Sequence, residues 1–188
     1  MDAPTPSGAV DALTTQTRNA LRCIAPVEVL GTGAAPGLTN NLRFISPGSR
    51  ALNLLPLRRV DGTLYLQLKA ALEYSVVGVA DAGRRPRFEP VATMYLYSVL
   101  DLAGRELFAY HWHPDGVSAV RTPHFHASSI PPITLPERSG GPETMRLDIS
   151  HAHFPTQQIE ITEIVRLLIR DLGVGPRRPD WERVLGHE

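Results

Sequence analysis

The sequence predicts an α+β fold, with an antiparallel sheet of about four to six strands laid out as a meander and packed by a C-terminal α-helix. Three observations support this: strand-like segments at 64–77 and 91–100, a Gly-closed hairpin at Asp101–Arg105, and helical spacing of apolar residues near 160–172. A chain of 188 residues falls in the size range of one compact domain. Residues 1–20 are polar and punctuated by proline, which predicts a loose N-terminal arm ahead of a single α+β domain over 21–188.

Along the chain, "GTGAAPG" (31–37) and "SPGS" (46–49) read as loops; no lysine follows their glycines, as a phosphate-cradling loop would require. "NLRFI" and "ALNLLPL" are short apolar runs that fit either strands or helical turns. "LYLQLKAALEYSVV" (64–77) opens with alternation, "GRRPRFEP" (83–90) is a basic loop, and "VATMYLYSVL" (91–100) is a second strand. In "DLAG", Gly104 can take the left-handed conformation that closes a three-residue hairpin before "RELFAYHWH". Counting back from Asp101 opposite Arg105 sets Val99 against Leu107, Tyr97 against Ala109 and Tyr95 against His111. Met94, Leu96, Phe108, Tyr110 and Trp112 then form an apolar face, and Glu106 falls on that core side.

"HPDG" (113–116) is a second turn, with positive φ expected at Gly116 and a third strand in "VSAVR". "PPITLPERSGGPE" (131–143) is a loop and "MRLDISHAH" a short strand. Ile161, Ile164, Val165, Leu168 and Leu172 then recur at helical spacing, and Gly173 and Pro176 stop the helix. "RPDWERVL" adds one more helical turn.

Composition removes several function classes. Net charge is zero, which argues against a global electrostatic grip on nucleic acid. Cys23 is the only cysteine, so there is no internal disulfide and no cysteine-rich zinc site; a reducing, cytoplasmic compartment is the expectation. No run of about 18 apolar residues is present to span a bilayer. Lys69 is the only lysine, so cationic contacts rest on arginine.

The chemical signal is histidine. Six of the seven histidines fall in three H-x-H pairs, His111/His113, His124/His126 and His151/His153. On extended backbone each pair points to one face, with Cα atoms about 6–7 Å apart. Neutral imidazoles at that spacing can chelate zinc or another divalent transition metal, which makes His124, His126, His151 and His153 a candidate ligand set. Converging imidazoles can equally act as general acid and base at phosphorus, with Arg121 holding developing charge. In that reading His124, His126, His153 and Arg121 are the catalytic candidates, His124 and His153 foremost, and Tyr95 or Tyr97 orients substrate. A solvated sheet face would also produce H-x-H patterns. If "VSAVR" paired straight back along "FAYHWH", His124 would stand some 10–15 Å from His113, so His111 and His113 are expected to be an outer shell. His187, near the terminus, is set aside.

Three histidine families do not fit. "HWH" lacks the glutamate a cupin would carry a few residues on, "HFHAS" lacks the third alternating histidine of the histidine-triad nucleotide hydrolases, and "HAS" at 126–128 is a single H-x-[ST] motif. The order "LQLKAALEYSVV", "YSVLDLAGRELFAYHWHPDG", "RTPHFH" and "EITEIVRLLIRDL" resembles the small TumE-type toxins of bacterial toxin–antitoxin systems over residues 64–172. That resemblance implies a bacterial cytoplasmic protein, a cognate antitoxin as partner, and a phosphodiester- or nucleotide-directed activity on nucleic acid or nucleotide. This chain departs from the pattern in its longer N-terminus, its lack of a Trp-Asp-Asn run before the histidines, and its added "HAHFPT". The alternative to a hydrolase is a non-catalytic metal-binding or partner-binding module.

Overall fold

A computed structural model of the chain describes residues 2–47, 51–80, 86–116, 119–131, 133–136, 144–150 and 152–186, with side chains left undescribed in 133–136 and 144–147. The chain begins with helix α1 (Pro6–Leu21), followed by strands β1 (Glu28–Gly31), β2 (Thr39–Ile45), β3 (Leu54–Arg58), β4 (Leu64–Val79), β5 (Arg87–Leu100), β6 (Glu106–Trp112), β7 (His124–His126), β8 (Ile133–Pro136), β9 (Thr144–Leu147) and β10 (Phe154–Pro155). Helices α2 (Ile161–Arg170) and α3 (Trp181–Val184) complete it. Eight strands form one antiparallel sheet in the order β1-β2-β4-β5-β6-β7-β10, with β3 alongside β2 on β4; β8 and β9 make a separate hairpin. The α+β class and the antiparallel sheet are as predicted, and the sheet has more strands than expected. No helix among the described residues is long and apolar enough to cross a membrane.

The expected N-terminal arm is a helix. Pro6 sits in its first turn, and the Thr5 side chain accepts a hydrogen bond from the Gly8 N–H at 3.1 Å. Ala9, Val10, Thr14, Thr17, Ala20 and Leu21 are buried along one stripe. The threonines and the proline make the segment look polar, yet their spacing leaves one face free of charge. α1 packs on β1, β4 and β5, and Arg18 donates to the Val29 carbonyl at 3.1 Å.

The C-terminal helix forms where predicted, with Gly173 at φ +69° beyond its end. A reciprocal capping box between Glu160 and Glu163 starts it. Its buried stripe of Ile161, Ile164, Val165 and Leu168 packs mainly against α1, so α1 is the layer that covers the sheet. The chain after α2 is tied back to the sheet where the Gly175 N–H donates to the Arg58 carbonyl at 2.8 Å. A Cβ at Gly175 would lie 2.7 Å from the Val60 backbone nitrogen and 2.8 Å from the Arg59 carbonyl carbon. Backbone cannot swing aside as a side chain can, so Gly175→Ala should lower stability by about 1–3 kcal/mol, read as a shift in the urea midpoint at constant slope.

The Asp101–Arg105 hairpin closes as predicted: the Asp101 N–H donates to the Arg105 carbonyl at 2.9 Å and Gly104 has φ +79°. The register beyond it differs from simple counting. Leu100 faces Glu106 while Val99 faces Phe108, so Leu107 is an extra, bulged residue. Tyr97 therefore opposes Tyr110, Leu96 opposes His111 and Tyr95 opposes Trp112. One inserted residue exchanges the faces of β5 relative to β6. Tyr95, Tyr97 and Val99 are buried in the main core under α1, and the even-numbered Leu96 and Ser98 share the other face with the histidines.

The turn at "HPDG" also forms, with the Gly116 N–H donating to the His113 carbonyl at 3.2 Å. The third strand is not "VSAVR", whose described residues are irregular; it is the three-residue β7, "HFH". His151, His187, the first three residues of "GRRPRFEP", Val117 and Ser118 of "VSAVR", and residues 132 and 137–143 lie outside the described residues, while 87–90 and 133–136, expected as loop, belong to β5 and β8.

Candidate metal centre

Strand β7 pairs with β6 so that His126 faces Ala109, Phe125 faces Tyr110 and His124 faces His111. The period of two then puts His111, His124 and His126 on the same side of adjacent strands. A strand at "VSAVR" running straight back along β6 would set Arg121 across from Ala109; the observed partner is His126, five residues on, because "VSAVR" is part of the connection. His111, expected in an outer shell, is at the centre of the cluster.

One nitrogen from each of His111, His124 and His126 lies within 4.8 Å of the other two. The ring centroids of His111 and His126 are 4.6 Å apart and nearly stacked, and those of His124 and His126 are 4.9 Å apart. β10 pairs with β7, Pro155 opposite His124, and brings His153 in from the sheet edge. The His153 ring stands 4.3 Å from that of His126 and 4.8 Å from that of His124. His113 is one ring further out, edge-on to His111 at 5.6 Å.

Burial grades across the cluster. His124 is buried, His111 and His126 are partly buried, and His153 is exposed. His124 Nδ1 lies 2.7 Å from the Thr122 carbonyl oxygen. A carbonyl only accepts, so Nδ1 carries the hydrogen and the lone pair is left on Nε2. Nε2 of His111 is buried with no hydrogen-bond partner among the described residues. Burial, reinforced by the neighbouring His126, lowers the His111 pKa from 6.5 to about 4, against an opposing pull from Glu106. His113 is lowered too, by burial and then by His124, with Glu73 opposing.

These shifts make the metal-free protein acid-sensitive. Between about 6.5 and about 4 the unfolded chain binds the His111 proton and the folded one does not. Stability is therefore full above pH 6.5 and falls as pH drops towards 4. In the presence of a chelator, the melting temperature should decline more steeply over that window for the wild type than for His111→Asn. Equal slopes would remove His111 from the account.

Glu106 was expected on the core side and is instead beside the histidines. The Leu107 bulge returns it to their face, where its carboxylate accepts hydrogen bonds from Ser98 Oγ and, at 2.6 Å, from Ser128 Oγ. Burial pushes this carboxyl up, but the bonds from Ser128 and Ser98 and the nearness of His111 and His126 outweigh that, and its pKa is lowered. Only knowledge of the bulge could have placed Glu106 here. The demotion of His111 could have been avoided by asking which segment after the turn carries its own histidine pair.

Other candidates fall elsewhere. Arg121 is exposed on the approach to β7, with no ion pair or hydrogen bond among the described residues. Tyr95 and Tyr97, expected to orient substrate beside the histidines, are on the opposite face of the sheet, 1% and 2% exposed. His151 is outside the described residues. Compared with protein-family models, with curated proteins and with solved structures, the chain matches none.

Proposed function

We propose that the protein binds one divalent transition-metal ion, zinc being the best match, on His111, His124 and His126, with His153 as the fourth donor. The observation that carries this is the approach of three imidazole nitrogens from two strands to within 4.8 Å of one another. Tetrahedral zinc with nitrogens at 2.0–2.1 Å requires nitrogens roughly 3.4 Å apart, so rotations of the rings by about an ångström would close the set. Imidazole-only ligation suits zinc, copper or nickel and disfavours calcium or magnesium, which take oxygen. A pKa near 4 keeps His111 neutral at physiological pH, as a ligand must be and a general acid must not. That suits His111 to ligation.

A second reading rests on Glu106. If His153 stays off the ion, a coordination position is open, and a bound ion supplies Lewis acidity and an acidified water there. Glu106, ionised and held by Ser98 and Ser128, is then available to accept a proton. This is the form in which a toxin-like, phosphodiester- or nucleotide-directed hydrolase would be realised. Elemental analysis of protein purified without a histidine tag tests the first reading: close to one zinc, copper or nickel per chain is expected, and a metal-free preparation that also fails to take up added zinc would end it. Metal-dependent cleavage of RNA or nucleotides, lost in Glu106→Gln with metal retained, would establish the second.

A further inference from the structure

Beside the histidine cluster stands a carboxylate with no cationic partner. Rows across the sheet locate it: Ser98, Ala109 and His126 lie side by side on β5, β6 and β7, and Leu96, His111 and His124 form the next row. Glu106 opens β6 on the same face. Its carboxylate is clamped from both neighbouring segments, by Ser98 Oγ of β5 and, at 2.6 Å, by Ser128 Oγ just past β7. The main chain there is held as well: Ser129 Oγ donates to the Glu106 carbonyl at 2.7 Å, and the Ser129 N–H to the Leu107 carbonyl at 3.1 Å. Along β6, the residue between Glu106 and His111 on this face is the fully buried Ala109, whose methyl group is too short to screen one from the other.

The two hydroxyls hold this carboxylate without neutralising it. No Lys or Arg pairs with Glu106 among the described residues, and the chargeable side chains it feels are His111 and His126. A partly buried charge is normally matched by one of opposite sign, because taking it out of water unmatched is costly. An imidazole that ligates a metal is neutral, so the histidines bring no positive charge of their own. Nor does Glu106 join the ligand set: the donor atoms within 4.8 Å of one another are those of His111, His124 and His126, and each Glu106 oxygen already accepts a serine hydroxyl. The missing positive charge is the ion itself.

We propose that Glu106 is the counter-charge of the metal centre, a positioning residue outside the ligand shell that makes a neutral imidazole set prefer a divalent ion to a monovalent one. The inference rests on the metal-binding reading above. The imidazoles select by donor type, whereas a fixed negative charge attracts an ion in proportion to its charge.

Zn(II) and Cu(I) are suitable probes, because both are closed-shell ions that accept imidazole and they differ in charge. Their affinities for the full-length protein can be measured by chelator competition, anaerobically for Cu(I). Glu106→Gln keeps the size of the side chain and removes its charge. Zinc affinity should then fall about a hundredfold and Cu(I) affinity about tenfold, the loss following ion charge. Ser128→Lys, which leaves Glu106 in place and sets an ammonium beside it, should lower the zinc-to-Cu(I) preference in the same direction, and decides the matter if Glu106→Gln does not fold. Melting in chelator reports the fold of each variant. A merely structural role for Glu106 would weaken both ions by the same factor; that result, or an unchanged zinc affinity, would overturn the proposal. Failure of the metal-binding reading looks different: the wild type itself would take up neither ion, and this inference would fall with it.

Discussion

Replacing His111 and His126 together by alanine is expected to abolish the metal-dependent part of this protein's stability while leaving the chelated protein folded. An ion that binds only the folded state stabilises it by about 2.7 kcal/mol when present at a hundred times its dissociation constant. For a chain of this length that is a rise of about 5–10 °C in melting temperature. The double variant should show no rise with added zinc. Single variants should rank by how firmly each imidazole is held. His124 is buried with its tautomer set by the Thr122 carbonyl, and His111 is wedged between its strand partner and His126, so losing either should weaken zinc binding by at least about a hundredfold. His153 arrives on a two-residue edge strand and is exposed, so His153→Ala should cost less and should open the coordination shell. Cobalt substitution would report this directly: the intense visible bands of a four-coordinate site should weaken in His153→Ala. A variant series in which all four histidines gave the same small loss would instead describe a wet sheet face with no shared ion.

Why the histidine cluster was only half apparent from the sequence follows from two local events. Periodicity correctly identified β4, β5, the Asp101–Arg105 hairpin and α2, because alternation, turn chemistry and helical spacing are each written within about a dozen residues. It also correctly set His111 apart from Phe108, Tyr110 and Trp112. The bulge at Leu107 is invisible to counting: "ELFAYHW" reads as a regular alternating strand, and nothing in its composition says that two of its residues oppose one. That single residue moved Tyr95 and Tyr97 to the core and Glu106 to the histidines. The second event is the connection after "HPDG". "VSAVR" has good strand propensity and "HFH" is only three residues long, yet β7 is the segment that pairs, because it brings Phe125 against Tyr110 and Phe108 on one face while stacking imidazoles on the other. Tertiary packing decided the pairing, and with it the distance between His111 and His124.

Deleting residues 2–21 should cost the protein its cooperative fold, whereas removing a loose arm would cost nothing. Val10 and Leu21 are buried, and at 1.5–3 kcal/mol for each fully buried side chain of that size they alone represent roughly 3–6 kcal/mol. A whole domain is stable by only about 5–15 kcal/mol. Truncation would also uncover Val29 and Tyr74, now buried in the core that α1 helps enclose, and would strand the apolar stripe of α2, whose principal support is α1. The deletion should therefore be insoluble or bind a hydrophobic dye, with no sharp thermal transition. Point variants keep the test quantitative. Leu21→Ala should lower stability by about 2–5 kcal/mol, and Asp11→Ala, on the exposed side of the same helix, should stay within about 0.5 kcal/mol of wild type. Because α1 packs on the sheet face opposite the histidines, Leu21→Ala at a temperature where it remains folded should retain zinc binding on the far side of the sheet. Loss of zinc binding under those conditions would mean that the two faces are coupled through the sheet.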